Sequence, residues 1–275
     1  MNEITAYLTD NDIRFIVETV DANLRDKFDI IKSDPEIIEK MLDAECDKLY
    51  QRIAEIGRET ILTQITPRLL FEILLRKAAR EIGEKLYIME RTATQKIPVF
   101  DTREVAAFMS DKAIVRYLAD MLDSFTRIES FTIPVRIRKG IWHKIRYSDI
   151  DFSSLVRMCH TVDEEHRFRF YKRIADLCLF ILGMFPEYAV RNLGDNPVPE
   201  KVFPRLFREE IDYEEEGRRF YRLAASHKEA RLLGLDEIFN RLNEEFYLAK
   251  RPLNYISDNY LKFKKQNIFP TFKPN

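Results

Sequence analysis

A mainly α-helical fold carrying one small β-hairpin is what this sequence predicts, and three observations predict it. Glycine is scarce, with 7 residues in 275, although sheets and tight turns lean on it for left-handed backbone. Apolar residues recur at spacings of three and four behind recognisable helix starts. One region, 130–149, switches instead to a period of two.

Taken in order, Ser33-Asp34-Pro35-Glu36 combines a capping box with a proline near the first helical position. Behind it Ile38, Leu42, Cys46, Leu49, Ile53 and Ile56 form one apolar seam on a charge-laced helix. Such a seam serves a bundle core or a contact with a second copy of the chain. Thr66-Pro67 opens the next helix. Its expected buried face is Phe71, Leu74, Leu75, Ala78, Ile82, Leu86 and Met89, with Glu72/Arg76 and Glu81/Lys85 as i,i+4 pairs on the solvent side. Asp101-Thr102-Arg103-Glu104 starts a short helix, and Ile114, Tyr117, Leu118, Met121, Leu122 and Phe125 continue at helical spacing.

The stretch "SFTIPVRIRKGIWHKIRYSD" alternates β-branched or aromatic residues with basic ones around Gly140. It reads as a β-hairpin spanning about 130–148, with Pro134 at an edge position. The run "RIADLCLFILGMFPEY" follows. Its uninterrupted apolar part, Leu177 to Phe185, is nine residues, about 13 Å of helix, far short of the roughly 20 residues a bilayer needs. A helix apolar on every side must be surrounded by protein. This is the expected central helix, with Gly183 giving a neighbour close access. Further on, 191–204 is irregular, Ile211 to Ala225 is amphipathic, and Ser226-His227-Lys228-Glu229 starts a segment running to about Lys250, interrupted near Gly234. Pro252 is placed to begin the last helix. The chain is expected as one helical domain over 1–275, or as two packed halves, 1–100 and 101–275.

Lys plus Arg at 45 against Asp plus Glu at 46 leaves a formal charge of −1, so a whole-chain field that collects nucleic acid or anionic lipid is not expected. Cys46, Cys159 and Cys178 are odd in number and widely spaced, unlike a disulfide framework or a metal clip. They read as free thiols. The N-terminus "MNEITAYLTDNDIRF" has no basic region followed by an apolar one, so a cytoplasmic protein is expected.

From Val115 to Ala225 the chain resembles a group of uncharacterised bacterial helical proteins. The resemblance begins at Tyr117-Leu118 and Leu122 to Phe125. It is strongest at Asp176, Leu179-Phe180, Gly183 and Phe185-Pro186-Glu187, and continues at Tyr213, Gly217 and Tyr221. The group shows two adjacent tyrosines where this chain has Asp212-Tyr213, and glycine where it has Ala175. The resemblance implies a helical fold and carries no activity.

Three sites are candidates. Asp176 lies inside the apolar helix, with Tyr213, Arg218 and Tyr221 downstream as potential partners. A buried carboxylate must be paired, hydrogen-bonded or neutralised. The group is therefore a structural network holding two helices in register, or a site with a perturbed acid. In "CHTVDEEHRF", His160 and His166 are weak metal candidates: no HExxH or CxxC spacing supports them, and Asp163-Glu164-Glu165 reads as a new helix start. On the hairpin, Arg136, Arg138, Lys139, Trp142, Lys144 and Arg146 interleave cations with an aromatic, as a phosphate-binding element or as simple solvated edge protection. No catalytic residue and no cofactor is assigned. The expected function is a non-catalytic intracellular module that binds a protein partner or a second copy of itself. Nucleic-acid binding through 136–146 is the alternative, and an enzyme or ligand site around Asp176 the third.

Overall fold

Thr9 opens the first helix through a reciprocal cap: its hydroxyl accepts the Asp12 N–H at 3.2 Å while the Asp12 carboxylate takes the Thr9 N–H at 2.9 Å. The computed structural model describes residues 8–56, 58–127, 130–138, 141–191, 210–262 and 265–270. The first part of the chain is helical: α1 (Asp10–Val20), α2 (Phe28–Ser33), α3 (Pro35–Ala44), α4 (Cys46–Ile56), α5 (Arg58–Ile61) and α6 (Pro67–Gly83). A short antiparallel pair, β1 (Ile88–Arg91) and β2 (Lys96–Val99), leads to α7 (Thr102–Met109) and α8 (Lys112–Ser124). Strands β3 (Ser130–Arg138) and β4 (Ile141–Ser148) form the hairpin that the period-two stretch predicts. After it come α9 (Phe152–Thr161), α10 (Phe168–Met184), α11 (Glu187–Arg191), α12 (Glu210–Ser226), α13 (Lys228–Leu232), α14 (Asp236–Glu244), α15 (Phe246–Ile256) and α16 (Lys265–Ile268). The fold is mainly α.

The run that is apolar on all sides lies in α10, and Leu177, Leu179, Phe180 and Leu182 are all buried there. Helices α8, α9, α12 and α15 pack around it. Two glycines set how closely they approach. A Cβ on Gly183 would lie 2.6 Å from Leu253 Cβ of α15, and one on Gly217 of α12 would lie 2.6 Å from a ring carbon of Phe246. The buried apolar residues form one contiguous cluster reaching from Leu8 to Phe269. No helix among the described residues is long and apolar enough to cross a membrane.

Several local expectations need correction. The seam from Ile38 to Ile53 is buried within this chain, and it breaks at Glu45 into α3 and α4. Its Cys46 thiol lies 3.6 Å from the Ile73 carbonyl of α6. It is core, not an open face for a second copy. Asp34, not Ser33, caps α3, because Asp34 has the extended backbone an N-cap needs and accepts the Glu36 N–H at 3.0 Å. Helix α6 stops at Gly83, so Leu86 falls on the connection to β1 and Met89 within β1, and both are exposed. The Glu72/Arg76 pair is not on the solvent side: Glu72 is 0% exposed, and Arg76 bridges it at 2.7 Å to Glu39 at 2.8 Å. Pro252 does not begin a helix but sits inside α15, where a proline gives up one backbone hydrogen bond. Its neighbours Lys250 and Arg251 both hold Glu90 of β1 at 2.9 Å, fixing that turn against the strand.

Candidate functional site

Asp176 is 0% exposed in the middle of α10. Removing a carboxylate from water requires that donors replace the water. Tyr117 of α8 and Tyr221 of α12 both donate to Oδ1, the latter at 2.9 Å, and Lys172 one helical turn earlier donates to Oδ2 at 2.6 Å. The Lys172 ammonium also lies 5.0 Å from the Tyr117 ring centroid. Burial, followed by the charge of Asp176, pushes both phenols well above their ordinary range. Two protonated hydroxyls and an ammonium thus face one carboxylate, and three helices are tied at a single point. Such a cluster fixes register; its two tyrosines and the aspartate are all buried, and Lys172 alone is partly exposed.

Arg218 does not join this cluster. Although it is three residues before Tyr221 on α12, it donates to the Glu244 carbonyl at 3.1 Å and lies 3.9 Å from Glu214. Together with Glu215, Arg219, Arg222 and Asn243 it lines an open groove of about 730 Å³. Tyr213 is buried and edge-on to Phe152 at 6.3 Å between ring centroids. Arg173 turns away to hold Asp149, through the carbonyl at 2.9 Å and the carboxylate at 2.7 Å. Of the residues chosen from sequence, the structure brings Asp176 and Tyr221 together and adds Tyr117 and Lys172. Tyr117 stood in the resemblance motif. Lys172 carried only the i,i+4 spacing as a signal.

His160 lies in the last turn of α9 and His166 ends the turn Glu164–His166; both are exposed, and His166 Nε2 lies 3.9 Å from Glu165. No group of three His, Cys, Asp or Glu side chains among the described residues is placed to hold a metal. The three thiols are free and buried, and burial pushes Cys46 up to about 11 and Cys159 up to about 12. They are poor nucleophiles. On the hairpin, Arg136 and Arg138 lie in β3, and Trp142, Lys144 and Arg146 lie in β4. Lys139, Gly140 and residues 192–204 lie outside the described residues.

A feature that sequence reasoning missed stands beside β1 and β2. Leu86 is 81% exposed and Phe100 67%, with Tyr87 and Met89 exposed beside them. The Tyr87 and Phe100 ring centroids are 5.8 Å apart. The platform under them is firm. Asn254 of α15 accepts the Arg91 N–H at 2.7 Å and donates to the Arg91 carbonyl at 2.9 Å. Pro98, opposite Met89, removes a donor from the outer strand and blunts that edge against strand addition. The strands are four residues each, too short to impose a readable alternation on the sequence.

Comparison with models of known protein families, with characterised proteins and with solved structures finds no match to this chain.

Proposed function

We propose that this chain is a non-catalytic helical module of the cytoplasm that binds a protein partner through the apolar platform of Leu86, Tyr87, Met89 and Phe100. The observation that carries the reading is the exposure of these four large apolar side chains on and next to one short two-stranded hairpin, with the Tyr87 and Phe100 rings 5.8 Å apart. Large exposed apolar groups that cluster mark interaction surfaces more often than scattered ones do. Glu84, Lys85, Lys96, Arg103 and Glu104, close in sequence and exposed, supply charges of both signs. An apolar centre with aromatic anchors and a mixed-charge rim is the composition of a protein interface. The partner's matching surface is therefore apolar at its centre and of mixed charge at its edge. A second copy of this chain meets that description as well as another protein does. Nothing in the buried Asp176 cluster calls for a substrate.

The test is in-cell photo-crosslinking from position 100, comparing the otherwise wild-type chain with a Leu86→Asp, Met89→Asp variant shown to melt at the same temperature. Discrete crosslinked products that disappear in the variant are expected. Products that persist unchanged, or no discrete product at all, overturn the reading.

A further inference from the structure

We infer that the β3–β4 hairpin carries a second, independent binding face, which takes single-stranded nucleic acid through Arg136, Trp142, Lys144 and Arg146. The register carries this inference. Residues directly opposite in an antiparallel pair share a face, and successive residues alternate faces. Ser148, Arg146, Lys144 and Trp142 on β4 stand opposite Ser130, Thr132, Pro134 and Arg136 on β3. One face therefore collects three cations and an aromatic among small or polar residues. The other face collects Phe131, Ile133 and Val135 opposite Tyr147, Ile145 and His143. The register shift between Arg136 and Arg138 brings Arg138 opposite Ile141 and so sets Arg138 apart from the three cations. The basic and apolar sets are separated by the pleat, although in sequence they alternate as one mixed run.

Charge complementarity selects the occupant. The chain as a whole is formally at −1, so attraction for a polyanion must be local, and this face supplies it. Lys144 and Arg146 are two residues apart, about 6.8 Å along the strand, a regular spacing of cations in register on one strand that suits a backbone of repeated phosphates. Trp142, opposite Arg136, adds a flat ring that unpaired bases stack on and that a duplex, with its bases already stacked, does not use. The root of the hairpin is secured to the central helix, because Asp149 just beyond β4 is gripped by Arg173.

Trp142 is the chain's single tryptophan, so fluorescence excited selectively at tryptophan, clear of the 12 tyrosines, reports on this residue alone. Titration of the full chain with a 20-nucleotide oligothymidylate at low salt is expected to quench it. The logarithm of the binding constant should fall with the logarithm of salt at a slope of about −2, as three neutralised phosphates at roughly −0.7 each require. Arg136→Gln with Lys144→Gln, which removes charge without reversing it, should weaken binding by about tenfold at an unchanged melting temperature. If that variant fails to fold, Arg146→Gln alone should still weaken binding and flatten the slope. Absence of quenching by the oligonucleotide overturns the inference. So does equal quenching by duplex DNA, by heparin, or by phosphatidylserine vesicles, each of which would show that base stacking plays no part.

Discussion

Tyr221 and Asp176 meet across the α10–α12 contact, the hydroxyl donating to Oδ1 at 2.9 Å, while Lys172 holds Oδ2 at 2.6 Å. With Tyr117, all three of these partners of the carboxylate are hydrogen-bond donors. Asp176→Asn keeps the shape and removes the charge-assisted bonds. It should destabilise the protein by roughly 1 to 3 kcal/mol in urea unfolding. Tyr221→Phe should cost less, because Tyr117 still donates to the same oxygen. An Asp176→Asn protein as stable as wild type would show that the cluster does not hold the helices together.

Leu182 is 0% exposed near the end of α10. Leu182→Ala removes buried methyl groups and leaves a cavity that close-packed neighbours fill only in part, so a loss of roughly 2 to 5 kcal/mol is expected. Chemical denaturation of a soluble two-state sample measures it. A loss below about 1 kcal/mol would contradict α10 as the centre of the core.

Gly217 is fixed by space rather than by backbone angle. The Cβ of an alanine there would lie 2.6 Å from Phe246 Cε2 and 3.0 Å from the Cβ of Cys178. Gly217→Ala should therefore cost roughly 1 to 3 kcal/mol by overpacking, despite alanine's better helix propensity. Adding Phe246→Leu should recover part of the loss beyond the sum of the single changes, which a double-mutant cycle in thermal unfolding would read. Additivity would mean that the two helices simply move apart.

How far the sequence revealed this molecule follows from where its physical signals lie. The fold class was legible because helix starts, apolar spacing and the period-two hairpin are local patterns, and α10 is legible from nine apolar residues alone. Asp176 was conspicuous as a charge entering that run, and Tyr221 came with it from the resemblance motif. Lys172 carries only its i,i+4 spacing to Asp176 in the sequence, yet its flexible stem reaches the second carboxylate oxygen. Glu72 and Arg76 look like an ordinary solvent-side pair; only the packing of α3 and α8 against α6 buries them. Leu86 and Met89 continue the helical period of α6 in sequence, but the chain leaves the helix at Gly83 to form β1 and β2, strands whose pairing is a tertiary fact. The apolar platform could not be seen for that reason.

The last prediction concerns Glu39 of α3, which is paired to Arg76 of α6 and Arg116 of α8. Burial alone would raise its pKa, but Arg76 at 2.8 Å and Arg116 at 2.7 Å more than offset this and lower it from 4.5 to about 2. Lys112 at 3.3 Å adds a further positive charge, while Arg76 also serves Glu72 and Asp43. Because the folded-state pKa is depressed, the unfolded chain binds the proton more readily. The stabilisation is therefore complete above about pH 5 and is lost as the pH falls towards 2. Glu81, Glu90 and Asp47 are lowered too and contribute to the wild-type slope, so the informative quantity is a difference. Urea unfolding of wild type and Glu39→Gln should show a stability gap that is largest near pH 6 and shrinks steadily between pH 5 and pH 3. A gap that stays constant over that range would mean that the ionised Glu39 carboxylate contributes nothing beyond its shape.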